Sequence, residues 1–459
     1  MVQDIAIRGA LLSLVADPFS RPIKECFHYL SDGLLVLSNG VIRDVGPYSQ
    51  LAKRYSNTPL THYPNKLIVP GFIDTHIHFP QTEMIAAYGE QLLSWLEKYT
   101  FPTEQKFADK DYASAVSERF LDELLRHGTT TALVFTTVYP QSTEAFFEAA
   151  QARNLRMIAG KVLMDRHAPE ALLDTPETAY ADSKRLIEKW HGRDRLLYAI
   201  TPRFAITSSP EQLKIAGKLL SEFPDVYLHT HLSENEDEVA WTKELFPTAN
   251  NYLDVYAQAN LLGPRSVFAH GIYLTDEEIE QLGQCGCAIA HCPTSNFFLG
   301  SGLFNLHKIK QFNQSNNFET QVGLGTDIGG GTSFSLLATG GEAYKVAQLQ
   351  QQTLTPFQML FLATLGGARA LRLDDKLGSL EAGKEADFVV LDPLATPTMA
   401  FRNQPFMPVI AQPLEREVLS ERQMEDLRSL LFSLFILGDD RAIYATYVNG
   451  SLAHQRNTH

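Results

Sequence analysis

Two histidines spaced two apart close the run Pro70-Gly71-Phe72-Ile73-Asp74-Thr75-His76-Ile77-His78. In a β-strand, residues i and i+2 face the same way. His76 and His78 can therefore offer two imidazole nitrogens to one metal ion. Alone, such a pair reads more readily as two hydrogen-bonded core histidines than as a metal site. It is not alone: His231, His270 and Asp327 each follow a short apolar run, as residues at the ends of successive strands do. Imidazoles with a carboxylate suit Zn²⁺ or Fe²⁺. Either ion brings the pKa of bound water from about 15.7 toward about 7, supplying hydroxide at neutral pH.

The spacing His231-Leu232-Ser233-Glu234 puts a carboxyl one short turn beyond a ligand position. There it can take a proton from the reactive water and deliver it to a substrate. The alternative for Glu234 is a solvated face, since Glu236, Asp237 and Glu238 follow it. His229 shares the face of His231 and competes with it as ligand; the H-x-x-E spacing favours His231 and leaves His229 packed behind. His270 reads as a fourth nitrogen ligand or as a hydrogen-bond partner of the water. Asp327, in Leu324-Gly325-Thr326-Asp327, reads as a ligand and proton acceptor, or as the N-cap of a following helix. His291 ends another strand and is a further candidate to support the ligands.

Positioning these groups requires strands whose ends converge. Candidate strands are 72–78, 130–138, 156–164, 196–204, 226–231, 266–270, 288–291 and 321–327, with helical periodicity over 111–126, 181–190 and 211–222. Eight strands alternating with helices predict a (β/α)₈ barrel. In that fold the C-terminal strand ends, which here carry the histidines, Asp327 and Arg203, form the site. Both chain ends have a different texture. Short apolar runs are joined by turns such as Asn39-Gly40 and Asn449-Gly450, a strong hairpin pattern. The expected organisation is residues 1–70 and 375–459 together as a small β-sandwich, the latter with a terminal helical segment, around a barrel over 71–374. The stretch from Thr396 to Leu430 is polar and Pro-interrupted, and reads as a lid, a linker or a dimer element.

Composition excludes several classes. Lys+Arg 39 against Asp+Glu 53 gives a net charge of −14 over 459 residues. That opposes nucleic-acid or anionic-membrane partners, whose affinity rests on basic surfaces. No apolar run approaches the roughly 18 residues of a membrane helix. Cys26, Cys285, Cys287 and Cys292 form no disulfide framework, and the N-terminus lacks an apolar leader, so the cytoplasm is the expected compartment. Cys285-Gly-Cys287 lacks a second pair at zinc spacing and reads as buried thiols. A cytidine-type zinc deaminase would need a C-x-x-C pair that this chain lacks.

The ordered set Pro-Gly-Phe-Ile-Asp-Thr-His76-Ile-His78, His231…Glu234, His270 and Gly-Thr-Asp327 resembles the amidohydrolase superfamily. The segment Gly378-Ser379-Leu380-Glu381-Ala382-Gly383-Lys384-Glu385-Ala386-Asp387 resembles its usual return to the terminal sandwich. Where two-metal members carry a lysine after strand four, this chain has Thr201-Pro202-Arg203-Phe204, which is similar to the single-metal deaminase branch. Within that branch it resembles the guanine deaminase family over essentially its full length. The more specific matches are Gln81, the segment from Leu92 through Trp95 to Glu104, the pair Arg203-Phe204, and Cys292-Pro293-Thr294-Ser295-Asn296.

The resemblance implies one Zn²⁺ per chain, with Fe²⁺ as an alternative, on His76, His78, His231 and Asp327. It implies catalysis by Glu234, His270 and Asp327, and guanine held by Gln81, Trp95, Arg203, Phe204, His231, Glu234 and Asp327. It also implies a homodimer. A related deaminase of another aminated heterocycle (a pterin, a triazine, cytosine or a modified nucleoside) is the alternative.

Overall fold

The computed structural model describes residues 4–89, 91–412 and 419–457. The chain opens with four strands, β1 (Ile5–Leu14), β2 (Phe27–Ser38), β3 (Val41–Pro47) and β4 (Leu60–Pro70). Nine follow: β5 (Phe72–His78), β6 (Thr129–Phe135), β7 (Arg156–Gly160), β8 (Val162–Leu163), β9 (Leu197–Pro202), β10 (Tyr227–Leu232), β11 (Ser266–His270), β12 (Ala288–His291) and β13 (Gln321–Leu324). Three return at the end: β14 (Phe388–Leu391), β15 (Ile443–Val448) and β16 (Ser451–Gln455).

The central strands pair in parallel in the order β5-β6-β7-β9-β10-β11-β12-β13, with β8 beside β9. The circle closes just past β13, where Asp327 N–H donates to the His76 carbonyl at 2.9 Å and His78 N–H to that of Ile328 at 3.3 Å. This is the expected barrel. Ile73, Leu133, Ile158, Ala199, Tyr227 and Val267 fill its interior, and Leu371 and Leu373 belong to the same cluster. Helices clothe the outside. The helix Lys110–Arg126 starts where the Asp109 side chain accepts from Asp111 and Tyr112 N–H. Its stripe of Ala113, Phe120, Leu121, Leu124 and Leu125 is buried, the i, i+3, i+4 pattern of a core-facing helix. The helix Pro176–Trp190 starts with a Thr175/Thr178 capping box and proline at its first position.

Both chain ends build one seven-stranded sheet, β16-β15-β14-β4-β1-β2-β3. β14 pairs antiparallel with β4, and β1 runs parallel to it. The sheet curls: Ile42 N–H donates to the Lys384 carbonyl and Gly383 N–H to that of Ile42, both at 2.8 Å. Ile7, Leu35, Ile68, Phe388, Val390 and Tyr447 are enclosed on one face. Leu67, Val69, Val389 and Leu391 belong to the core shared with the barrel helices. Both expected hairpin turns form with two left-handed residues, Asn39 (φ 52°) with Gly40 (φ 80°) and Asn449 (φ 49°) with Gly450 (φ 77°), the backbone of a type I′ turn.

The stretch from Thr396 onward packs into the core. It forms helices Pro397–Asn403, Pro408–Ala411 and Glu421–Leu437, and Met399, Met407, Val409, Ile410, Leu427 and Leu430 are buried in the main core. Residues 413–418 lie outside the described residues. Among the described residues, no helix is long and apolar enough to cross a membrane.

Candidate active site

Strand alternation alone does not deliver the ligands. Ile73 packs inside the barrel and Phe72 outside it, so strict alternation would turn His76 and His78 outward. The pairing of β5 with β6 slips between Asp74 and Ile77. After this bulge Ile77 joins the outer core and the two histidines face inward, a common use of a bulge beside a site. On β11, Val267 and Ala269 pack inside and Phe268 outside. His270 would follow Phe268 outward, but its left-handed backbone (φ 72°) turns it to the site. Asp327 is also left-handed (φ 50°). Such backbone costs of order 1–3 kcal/mol per residue and clusters at functional sites.

Four candidate ligand atoms then meet. His78 Nε2 lies 3.2 Å from His76 Nε2 and 3.3 Å from His231 Nε2. Asp327 Oδ1 lies 3.1 Å from His76 Nε2 and 3.3 Å from His78 Nε2. A tetrahedral ion with bonds of about 2.1 Å sets its ligand atoms roughly 3.4 Å apart, so the cluster fits one ion. The histidines are prepared for it. Burial holds His76, His229 and His231 below the usual imidazole range, and His78 down to about 3, which favours neutral rings that each keep one lone-pair nitrogen. His231 Nδ1–H donates to the Arg203 carbonyl at 2.7 Å, which leaves Nε2 as the lone-pair nitrogen.

His229 stands behind His76 rather than among the four clustered atoms. Its Nε2 shares a 2.7 Å hydrogen bond with His76 Nδ1, the support a ligand histidine ordinarily has. Asp74 accepts from His76 N–H and Thr326 N–H at 3.1 Å each and from the Thr326 hydroxyl. It thereby ties β5 to the turn that carries Asp327.

Glu234 is buried rather than solvated. Burial, then the nearby Asp327 and Glu238, push its carboxyl well above the usual range. Glu238 Oε2 accepts from Glu234 N–H at 2.7 Å and Asn235 N–H at 3.1 Å, pinning the turn that carries Glu234. His270 Nε2 lies 3.3 Å from Glu234 Oε2 and 3.9 Å from Asp327 Oδ2, and its Nδ1 donates to Asn296 Oδ1 at 2.8 Å. Asp327 caps no helix; Ser335 caps the next one. His291 sits against Phe304, with ring centroids 4.8 Å apart. Cys292 lies near His76 and Asp327. Burial raises its thiol well above the usual range, and it donates to the Ala290 carbonyl. No cysteine is in a disulfide among the described residues, and Cys285 is half-buried rather than buried.

These groups floor a cavity lined by His78, Gln81, Leu92, Trp95, Arg203, Phe204, His231, Glu234 and Asp327 among others. Every residue expected to hold a substrate is thus on one wall or another. Arg203 donates from one guanidinium nitrogen to both Glu104 oxygens, at 2.9 and 2.8 Å. The Trp95 indole N–H is buried and has no partner among the described residues. Glu104 and Asp74 were given no individual role by sequence reasoning. Asp74 lay inside the histidine motif, but nothing in the spacing pairs Glu104 with Arg203.

A barrel with one histidine-rich centre at its C-terminal end, flanked by a sheet from both termini, defines a class: the chain belongs to the amidohydrolase family, which residues 67–453 match. More particularly, it is 50% identical to guanine deaminase of Escherichia coli K12 over 98% of each chain. The solved structure of E. coli guanine deaminase superposes with a TM-score of 0.91, covering 99% of this chain and 100% of that one, at 49% identity. Guanine deaminase from C. acetobutylicum, solved with guanine in its active site, superposes with a TM-score of 0.84 at 29% identity, covering 98% and 100%.

Proposed function

We propose that the protein hydrolyses guanine at C2, giving xanthine and ammonia. The observation that carries this reading is the pairing, in one cavity, of a ligand cluster and buried Glu234 with the planar-ring contacts Gln81, Arg203 and Phe204. The full-length likeness to guanine deaminases supports the same substrate.

His76, His78, His231 and Asp327 would hold one Zn²⁺, Fe²⁺ being acceptable to the same ligands. Bound there, the ion would lower the pKa of a water and supply hydroxide at neutral pH. Phe204 stacks on the purine, Arg203 donates to its 6-carbonyl oxygen, and Gln81 meets its edge. A purine acceptor would satisfy the orphan Trp95 N–H. Glu234 takes the proton of the attacking water and hands it to the ring nitrogen beside C2, making that carbon electrophilic. Its burial beside the cluster places it to hold and pass on a proton. His270 orients the water. A second proton, passed through Glu234 or Asp327, lets the C2 amine leave as ammonia.

The division into residues 1–70, 71–374 and 375–459, a cytoplasmic location and a homodimer belong to the same proposal. The unpaired thiols support the compartment, and the family resemblance supports the dimer. The test is xanthine and ammonia release from guanine by zinc-loaded protein, beside 2,6-diaminopurine, adenine and cytosine. Fast turnover of guanine over the other rings is expected. Turnover of another aminated ring without guanine would overturn the substrate, and silence on every ring would overturn the enzyme reading.

A further inference from the structure

Behind the pocket wall, one buried carboxylate organises both polar side chains that face the purine. Glu104 is 1% exposed. It ends a short helix, Phe101–Glu104, that follows a widened π-helical turn over Leu96–Thr100. That turn sends Trp95 and Leu96 to the cavity and Glu104 to its rear. Glu104 accepts from Arg203 through both oxygens and from Gln81 Nε2 at 3.3 Å. On its other side, the Gln81 amide oxygen accepts from Gly329 N–H at 3.2 Å. A carboxylate can only accept and a backbone N–H can only donate, so the two together fix which way round the Gln81 amide sits. Arg203 is held from a second direction by the Phe101 ring, 5.6 Å from the guanidinium carbon.

We infer that Glu104 is a positioning residue that sets which purine edge the pocket accepts. The inference rests on the guanine reading above and deepens it. Arg203 offers donors only. Held in place, it rewards a carbonyl oxygen at the purine 6-position and leaves a 6-amino group facing another donor. Glu104 also cancels the Arg203 charge, so the far end of the cavity is neutral, matching a neutral base. Without that carboxylate, Arg203 becomes a buried, uncompensated cation that favours an anionic purine, and Gln81 is free to flip.

The test is Glu104→Gln in the metal-loaded protein, assayed on guanine and 2,6-diaminopurine by ammonia release, with xanthine as inhibitor across pH. For guanine, kcat/KM is expected to fall at least about 30-fold, chiefly through KM. The guanine to 2,6-diaminopurine preference is expected to shrink at least about tenfold, because only guanine loses an accepted hydrogen bond. Xanthine inhibition is expected to tighten as xanthine ionises in the variant and not in the wild type. Equal losses on both substrates with an unchanged xanthine response would mean a merely structural carboxylate, and the inference would be overturned. Should the Gln variant not fold, Glu104→Asp keeps the charge and shortens the reach. It is expected to lower the substrate preference with a wild-type xanthine response, and an unchanged preference would overturn the inference. Wild-type silence on guanine would instead overturn the functional reading, and this inference with it.

Discussion

At Glu234, burial and the neighbouring carboxylates outweigh the opposing pull of the Ser301 hydroxyl and the Arg203 charge. The side chain is out of water, Asp327 and Glu238 stand nearby, and all three favour its protonated form. Glu238, fixed by the Tyr252 hydroxyl at 2.6 Å, clamps the backbone beneath it. Replacing the acid by its amide keeps that shape and removes only the titratable proton. Glu234→Gln is therefore expected to lower kcat by about 10²–10⁴ while retaining its metal, measured by turnover alongside metal content. A fully metallated variant with near-normal turnover would sink the proton-carrier role. Residues of this kind were legible in the sequence because their geometry is local. His76 and His78 share a strand face, and Glu234 sits one turn past His231. Glu104 was not legible as a partner of Arg203, since the two are 99 positions apart and meet only through the tertiary fold.

Among the elements, the site depends on departures from ideal strands. The bulge in β5 and the left-handed residues at the ends of β11 and β13 turn His76, His78, His270 and Asp327 to a common point. Period-two patterning revealed where strands lie, and the barrel followed from their alternation with helices. It could not reveal the bulge, because one extra residue leaves the apolar pattern nearly unchanged while reversing the face beyond it. The β13 end also relies on a missing side chain. A Cβ on Gly325 would sit 2.8 Å from Cys292 Sγ and 3.0 Å from His76 Cβ. Neither neighbour can yield without moving a ligand or its support. Gly325→Ala is thus expected to cost about 1–3 kcal/mol by overpacking and to leave the protein with less metal at equal metal supply. Metal analysis with urea unfolding checks both, and a variant with full metal and unchanged stability would show that this strand end has room to relax.

For the whole molecule, the two ends of the barrel have separate tasks. The C-terminal strand ends hold the ligand cluster. At the opposite end, Arg156 opens β7 and Arg195 precedes β9, and both reach into the segment leading to β14. Arg195 donates to Glu385 at 2.7 Å and pairs with Asp387; Arg156 donates to Glu385 at 2.9 Å. Asp387 also accepts from Asn449 N–H at 2.7 Å, and its carbonyl accepts from Gly71 N–H at 3.0 Å. Through its carboxylate and its backbone carbonyl, Asp387 thus joins the barrel, the start of β5 and the hairpin β15–β16. It explains how a sheet made from both termini is seated on a barrel made from the middle. In Asp387→Asn, Arg195 keeps Glu385 but loses its second carboxylate inside the protein. The expected loss is about 1–3 kcal/mol, the cost of weakening one buried hydrogen bond to a charged group, read as an earlier denaturant midpoint. Because the cluster lies at the far end of the barrel from the cavity, kcat and KM of the folded variant should match the wild type. A stability loss with normal kinetics would separate the seat of the sheet from the chemistry. Altered kinetics at full folding would mean instead that strain at this junction reaches the ligands through β7 and β9.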